Sequence, residues 1–102
     1  DPADNLKLLA TLRLARVEAA RGNASKALAM LEEQDAGKMT SAFEEAKGDF
    51  HVALGHYEAA YSSYQAAIDT EESGNARQMS ILRLKMSQAK PASEIAEPQG
   101  DS

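Results

Sequence analysis

The sequence predicts an all-α domain of stacked helical hairpins, consisting of two hairpins followed by a single C-terminal helix. Alanine is abundant and β-branched residues are few, which favours helices over strands. Apolar residues recur at helical spacing along most of the chain. Glycines and small residues in one part of the chain reappear 33 positions later. With 102 residues, the chain is long enough for one domain with a modest core.

The first hairpin is predicted over residues 3–34. Its first helix should end at Gly22, and Asn23 is expected to cap the second helix. Each helix carries one apolar face at helical spacing. These faces comprise Leu6, Leu9, Leu12, Ala15 and Ala19 in the first helix, widened by Leu8, Leu14 and Val17, and Ala24, Ala27, Leu28 and Leu31 in the second.

The second hairpin is predicted over residues 41–70. Ser41 and Glu44 have the spacing of a capping box at the start of its first helix. Gly55 is expected to end that helix, because a glycine inside a helix costs about 1 kcal/mol relative to alanine. The predicted packed faces contain Phe43, Ala46, Phe50 and Leu54, then Tyr57, Ala60, Tyr61, Tyr64, Ala67 and Ile68.

A single helix is predicted over residues 76–90, with Asn75 and Gln78 as a capping pair. Pro91 should end this helix, because proline lacks the backbone N–H that a helix interior requires. The remaining residues 91–102 combine proline, small residues and acids, so the sequence predicts a disordered acidic tail after a helical domain over 1–90.

The two hairpins are copies of one unit, since Gly22 aligns with Gly55 and Ala27 with Ala60 at the same offset of 33 residues. A period near 34 residues with paired helices is typical of stacked hairpin repeats. The second copy resembles a tetratricopeptide repeat at its small, turn and aromatic positions, which are Gly48, Gly55, Tyr57, Ala60, Tyr64 and Ala67. The resemblance implies that Gly48, Ala27 and Ala60 lie where helices cross closely.

A closer resemblance covers roughly residues 5–90 and is carried by LATLRLARVEAARGNASKALAMLE (9–32), FEEAKGDFHVALGHYEAAYSSYQAAI (43–68) and QMSILRLKMSQA (78–89). In these segments the chain is similar to the YfgM family, the ancillary subunit of the bacterial SecYEG translocon. The resemblance implies the C-terminal part of a periplasmic tetratricopeptide domain whose N-terminal membrane anchor lies outside these residues. It also implies SecYEG and the chaperone PpiD as partners, at the periplasmic side of the inner membrane.

The first helix of each hairpin should line a concave groove. By repeat position, the residues that face it are Leu9, Leu12 and Arg16, then Ala42, Glu45, Asp49 and Val52. Arg16 is expected to pair with Glu45 or Asp49. Two acids stand where some tetratricopeptide domains carry a carboxylate clamp, so capture of an acidic C-terminal peptide is disfavoured.

The last helix carries an apolar face formed by Met79, Leu82 and Met86, with Ala89 at the same spacing. This face has two interpretations. It caps the stack as core, or part of it contacts another protein or a second copy of the chain, as methionine-rich surfaces often do.

Catalysis and cofactor binding are not expected. His51 and His56 are separated by about 140° on a helix, which does not form a zinc pair, and the chain has no cysteine. Residues 76–90 contain bases without acids, but stacking aromatics are missing and both flanks are acidic, so nucleic-acid binding is disfavoured. No apolar run is long enough to span a membrane.

Two functions of different kinds remain. The first is a non-enzymatic protein–protein interaction module, which the resemblance makes a translocon-associated scaffold. The second is a self-association domain of a larger tetratricopeptide protein. The predicted protein-binding residues are Leu9, Leu12, Arg16, Glu45, Asp49, Met79, Leu82 and Met86, with no catalytic, metal or cofactor site.

Overall fold

The computed structural model describes residues 2–96. Five α-helices follow one another, with a short 3-10 helix at Gly37–Met39 before the third. Within residues 2–96 there is no strand, so the all-α prediction is confirmed. None of the helices in this range is both long and apolar enough to cross a membrane. The helices are α1 (Pro2–Ala20), α2 (Ala24–Glu32), α3 (Thr40–Ala53), α4 (Tyr57–Asp69) and α5 (Ala76–Ala96).

Two glycines make the hairpin turns that the sequence predicts. Gly22 lies between α1 and α2 with φ of 91°, and Gly55 lies between α3 and α4 with φ of 77°. This left-handed conformation strains a residue with a Cβ atom, whereas glycine adopts it freely. Both glycines therefore end one helix and allow the next helix to fold back.

Two of the predicted helix caps are wrong. The Asn23 side chain makes no hydrogen bond to the start of α2 and instead donates to Glu18 Oε1 at 2.9 Å. Ser41 lies inside α3, and its hydroxyl donates to the Ala67 carbonyl oxygen on α4 at 2.7 Å. Each side chain thus bonds a neighbouring helix or turn in place of its own helix start. The cap at Asn75 is confirmed, because its Oδ1 accepts from the Gln78 N–H at 3.1 Å.

The last helix is longer than predicted, since α5 continues past Pro91 to Ala96. Proline removes a single donor from the helix, and the residues after it include the good helix formers Ala92, Glu94 and Ala96. The prediction that disorder begins at residue 91 is therefore wrong for residues 91–96. The rest of the predicted acidic tail, residues 97–102, lies outside the described residues.

The first hairpin and α3 share one core. Its largest members are Leu31 from α2 and Phe43 and Phe50 from α3, all almost without exposed surface. Ala27 has no exposed surface in this core, and Ala60 has none in the smaller cluster between α4 and α5. The expectation that both alanines lie at close helix crossings is confirmed.

Gly48 lies on α3 where the Tyr64 ring of α4 crosses it. A Cβ atom built on Gly48 would lie 2.6 Å from Tyr64 Cδ1 and 2.8 Å from Cζ, far inside van der Waals contact. The close crossing expected at Gly48 is therefore present, and Tyr64 is the residue that requires it.

Replacing Gly48 with alanine should destabilise the fold by about 1–3 kcal/mol. The new methyl group forces the buried Tyr64 ring to move, and the cost of this overpacking exceeds the gain in helix propensity from glycine to alanine. The measurement is urea unfolding followed by circular dichroism. As a control, the same replacement in a Tyr64→Leu background should cost far less. An equal loss in both backgrounds would show that the ring is not the obstacle.

Candidate protein-interaction groove

Asp49 on α3 links three helices at the groove. Its Oδ2 accepts from Arg16 Nη1 on α1 at 3.1 Å and from Lys85 Nζ on α5 at 3.1 Å. Its Oδ1 accepts from the Tyr64 hydroxyl on α4 at 2.6 Å. One carboxylate therefore receives donors from α1 and from both helices that follow α3.

Glu45, one turn earlier on α3, completes this polar network. Its Oε2 accepts from Lys85 Nζ at 2.8 Å, and its Oε1 accepts from Gln78 Nε2 at 2.9 Å. Two carboxylates and two cations, Arg16 and Lys85, thus compensate one another along the groove. The network joins successive repeats and leaves no net charge at its centre.

Protonation in this network follows from its geometry. Burial alone would lower the pKa of the Lys85 ammonium, but bonds and charge from Glu45 and Asp49 outweigh it, and the pKa is raised. Burial, together with the hydrogen bond to Asp49, raises the pKa of the Tyr64 hydroxyl. Lys85 therefore remains a cation and Tyr64 a neutral donor, so neither can serve as a base near neutral pH.

The predicted pairing of Arg16 is confirmed, with Asp49 as its partner and not Glu45. The Arg16 side chain is 43% exposed and that of Asp49 24% exposed. An ion pair this accessible to water contributes under about 1 kcal/mol to stability. Its main effect is to fix the positions of the two side chains across the groove.

A pocket of about 270 Å³ opens beside this network. Asp49, Lys85 and Tyr64 form its polar wall, and Gln88 lies at the same site. Its apolar lining consists of Val52, Tyr57 and Ala89. Val52 is 38% exposed, so an apolar group from another molecule can contact it. The pocket has room for one side chain of a bound polypeptide, held between apolar walls and fixed polar groups.

Of the residues predicted to bind a protein, some lie together in the groove and others are buried between helices. The structure brings Arg16, Glu45 and Asp49 into one network, while Leu9 is partly buried and Leu12 lies in the core. On α5, Leu82 is fully buried and Met86 packs on the Ala60–Tyr64–Ala89 cluster, with Met79 partly buried one turn before Leu82. This face of α5 therefore packs against the preceding hairpin, and binding through any of these residues stays a prediction.

Three features of the groove were not predicted from the sequence: Lys85, Gln88 and the Tyr64 hydroxyl as a hydrogen-bond donor. The helix starts of α3 and α5 differ by 36 residues, and so do Asp49 and Lys85. Extending the repeat to α5 with this longer offset would have placed Lys85 opposite Asp49.

His51 is the one described residue with a buried side-chain nitrogen that lacks a hydrogen bond. Its ring is partly buried and lies 5.8 Å from the ring of His56. Burial, and secondarily the charge on His56, lowers the pKa of His51. Within residues 2–96, no group of three or more acidic or histidine side chains is arranged to hold a metal ion.

The lowered pKa of His51 predicts a loss of stability in mild acid. The unfolded chain takes up a proton at the ordinary pKa of about 6.5, while the folded chain resists it, so stability should fall as the pH drops below that value. Thermal unfolding between about pH 7.5 and 5.5 tests this. The His51→Phe variant, which cannot titrate, should lose less stability than the original chain, and parallel profiles would contradict the prediction.

The fold and the groove define an all-α protein built from stacked helical hairpins. The model of the tetratricopeptide repeat-like domain family matches residues 1–90, and the chain belongs to that family. No curated protein and no solved structure gave a significant match. Domains of this family typically act as protein–protein interaction modules, so the domain has protein partners.

Proposed function

We propose that this domain holds a segment of another protein in the groove of α1, α3 and α5. The observation that carries the proposal is the pocket beside Asp49, where charges are already compensated and Val52 remains exposed. Ile81 on α5 is 37% exposed and shares a helix face with Lys85 and Gln88, at spacings of four and seven residues. It extends the same apolar surface along the groove.

The chemistry of the groove favours a segment with apolar side chains. An acidic C-terminus would meet Glu45 and Asp49, and both cations nearby are already paired with these carboxylates. A strongly basic segment would have to compete with Arg16 and Lys85 for the same carboxylates. An apolar side chain flanked by neutral residues would fill the pocket without breaking the network.

The particular role we propose is that of a YfgM-type periplasmic scaffold beside the SecYEG translocon, with the chaperone PpiD as a partner. Similarity of residues 9–32, 43–68 and 78–89 to that family supports this proposal. The domain would then lie at the periplasmic side of the bacterial inner membrane. Its task would be to keep a chaperone near emerging polypeptides, with no chemistry of its own.

The test is binding of the purified domain to the periplasmic part of PpiD and to detergent-solubilised SecYEG, measured by biolayer interferometry. Val52→Lys and Ile81→Lys should weaken binding by about tenfold or more, because each places a charge where apolar surface is buried. Ser62→Lys, on an exposed position of α4, is the matched control. If the original domain binds neither protein, the translocon proposal is wrong.

Self-association of a larger tetratricopeptide protein is the second candidate function. The observation in its favour lies away from the groove, on α1, where the large apolar side chains of Leu6, Leu14 and Val17 are exposed. A surface of this kind on a repeat protein is suited to another helix.

A further inference from the structure

The polar side chains that line the groove pocket fall into two sets. The Asp49 carboxylate, the Lys85 ammonium and the Tyr64 hydroxyl already bond one another. The Gln88 carboxamide and the Tyr57 hydroxyl also line the pocket, yet neither makes a hydrogen bond to any residue in 2–96. Gln88 is exposed and Tyr57 is 36% exposed, so both groups can reach another molecule.

The two free groups are neutral, and each can both donate and accept a hydrogen bond. The charged side chains of the network compensate one another, so the site offers no unpaired charge. Charge complementarity therefore selects an uncharged occupant that brings donors and acceptors of its own. In a polypeptide, the groups of this kind that every residue except proline carries are the backbone N–H and C=O.

An extended segment presents these backbone groups, whereas a helix does not. In the interior of a helix the N–H and C=O groups bond within the segment, so Gln88 would find no partner there. A docked helix also needs several apolar anchors along one face, and the pocket has room for one side chain. In an extended segment successive side chains point to opposite sides, so one can enter the pocket while the backbone stays at its rim.

We propose that the groove binds an extended, uncharged segment of polypeptide and that Gln88 is the residue that selects it. An apolar side chain of the segment lies between Val52 and Ala89. The Gln88 carboxamide accepts from a backbone N–H beside that side chain and donates to a backbone C=O, and the Tyr57 hydroxyl donates to a further carbonyl oxygen. This inference rests on the proposed binding in the groove and names the class of ligand.

The place of Gln88 in the repeat suits this role. With the offset of 36 residues between α3 and α5, Gln88 occupies the position on α5 that Val52 occupies on α3. One helix thus contributes an apolar group to the pocket and the other a hydrogen-bonding group. Covering the backbone of a bound segment without bonding it would leave polar groups unpaired, which opposes binding. Gln88 removes this obstacle for an extended segment.

The probe for this inference is a terminally blocked peptide of serine and threonine with one central leucine, titrated into isotope-labelled domain and followed by heteronuclear NMR. The side-chain amide of Gln88 has its own signals, so its contact with the peptide is observed directly. We expect saturable shifts of these signals and of the backbone signals of Val52 and Tyr57. The dissociation constant should be about 1 mM, because one leucine supplies most of the apolar area that is buried.

Gln88→Leu should raise this dissociation constant about three- to tenfold, because it keeps a side chain of similar size and removes its hydrogen bonds. Gln34→Leu, at an exposed position after α2, is the matched control and should leave the constant unchanged. A peptide in which an ester oxygen replaces the leucine N–H should bind the original domain more weakly. It should lose little in Gln88→Leu, because the bond that the ester removes is already absent there.

Three results would overturn the inference: no saturable shift up to about 10 mM peptide, an equal ester effect with and without Gln88, or equally tight binding of a helix-stapled peptide of the same composition. If the extended peptide fails while Val52→Lys still weakens binding to PpiD or SecYEG, the groove function stands and only its ligand class is wrong. If Val52→Lys changes neither the peptide nor the protein binding, the groove is not the site and both proposals are wrong.

Discussion

Replacing Phe43 with alanine should lower the free energy of unfolding by about 3–5 kcal/mol. Phe43 is only 1% exposed and belongs to the core that joins α1, α2 and α3. The truncation leaves a cavity lined by side chains from both repeats, which close packing prevents from collapsing fully. Urea unfolding measures the loss, which is a large part of the total free energy of unfolding of about 5–15 kcal/mol expected for a domain.

The conservative variant Phe43→Leu serves as the control for this prediction. It retains most of the apolar volume, so its cost should be clearly smaller than that of alanine. If alanine and leucine cost the same, the ring is not packed as the structure shows. A cost below about 1 kcal/mol for alanine would mean that the two repeats do not share this core.

Replacing Leu82 with alanine should cost about 2–5 kcal/mol. Leu82 has no exposed surface, and it lies on the face of α5 that packs on the second hairpin. Because α5 has no following helix within the described residues, that face carries most of its tertiary packing. In urea unfolding followed by circular dichroism, the variant should therefore lose the helical signal of α5 before that of the other helices, and its unfolding midpoint should be lower.

Leu84→Ala is the matched control for Leu82→Ala. The two leucines lie two residues apart on the same helix, yet Leu84 is 59% exposed. Truncating an exposed leucine should change the free energy of unfolding by about 0.5 kcal/mol or less. Equal losses in the two variants, or a larger loss at Leu84, would show that α5 packs through a different face.

The fold was largely predictable from the sequence because its signals are local and repeated. Gly22 and Gly55 fall in the turns, and Ala27 and Ala60 lie at buried crossings, because few residues satisfy those positions. The caps at Asn23 and Ser41 failed for different reasons. Asn23 donates to Glu18, five residues earlier at the end of α1, which is a local alternative to capping α2. Ser41 donates to the Ala67 carbonyl oxygen, 26 residues later, which becomes close only after the second hairpin has folded.

The groove was predictable only in part. Arg16 and Asp49 are 33 residues apart, so the regular repeat placed them side by side. Lys85 was missed because the connection before α5 lengthens the offset to 36 residues, which composition and helical periodicity do not reveal. Met79, Leu82 and Met86 formed a clear apolar stripe in the sequence, but only the structure shows that it packs inward and that the exposed stripe lies on α1.

The claim that the groove of α1, α3 and α5 binds another protein is tested most directly by site-specific photocrosslinking with the periplasmic part of PpiD. A photoreactive amino acid is placed at Val52 in the groove or at the exposed Ser62 on α4. We expect a crosslinked complex from position 52 that excess unlabelled domain abolishes, and none from position 62. Crosslinking from position 62 with none from position 52 would contradict it.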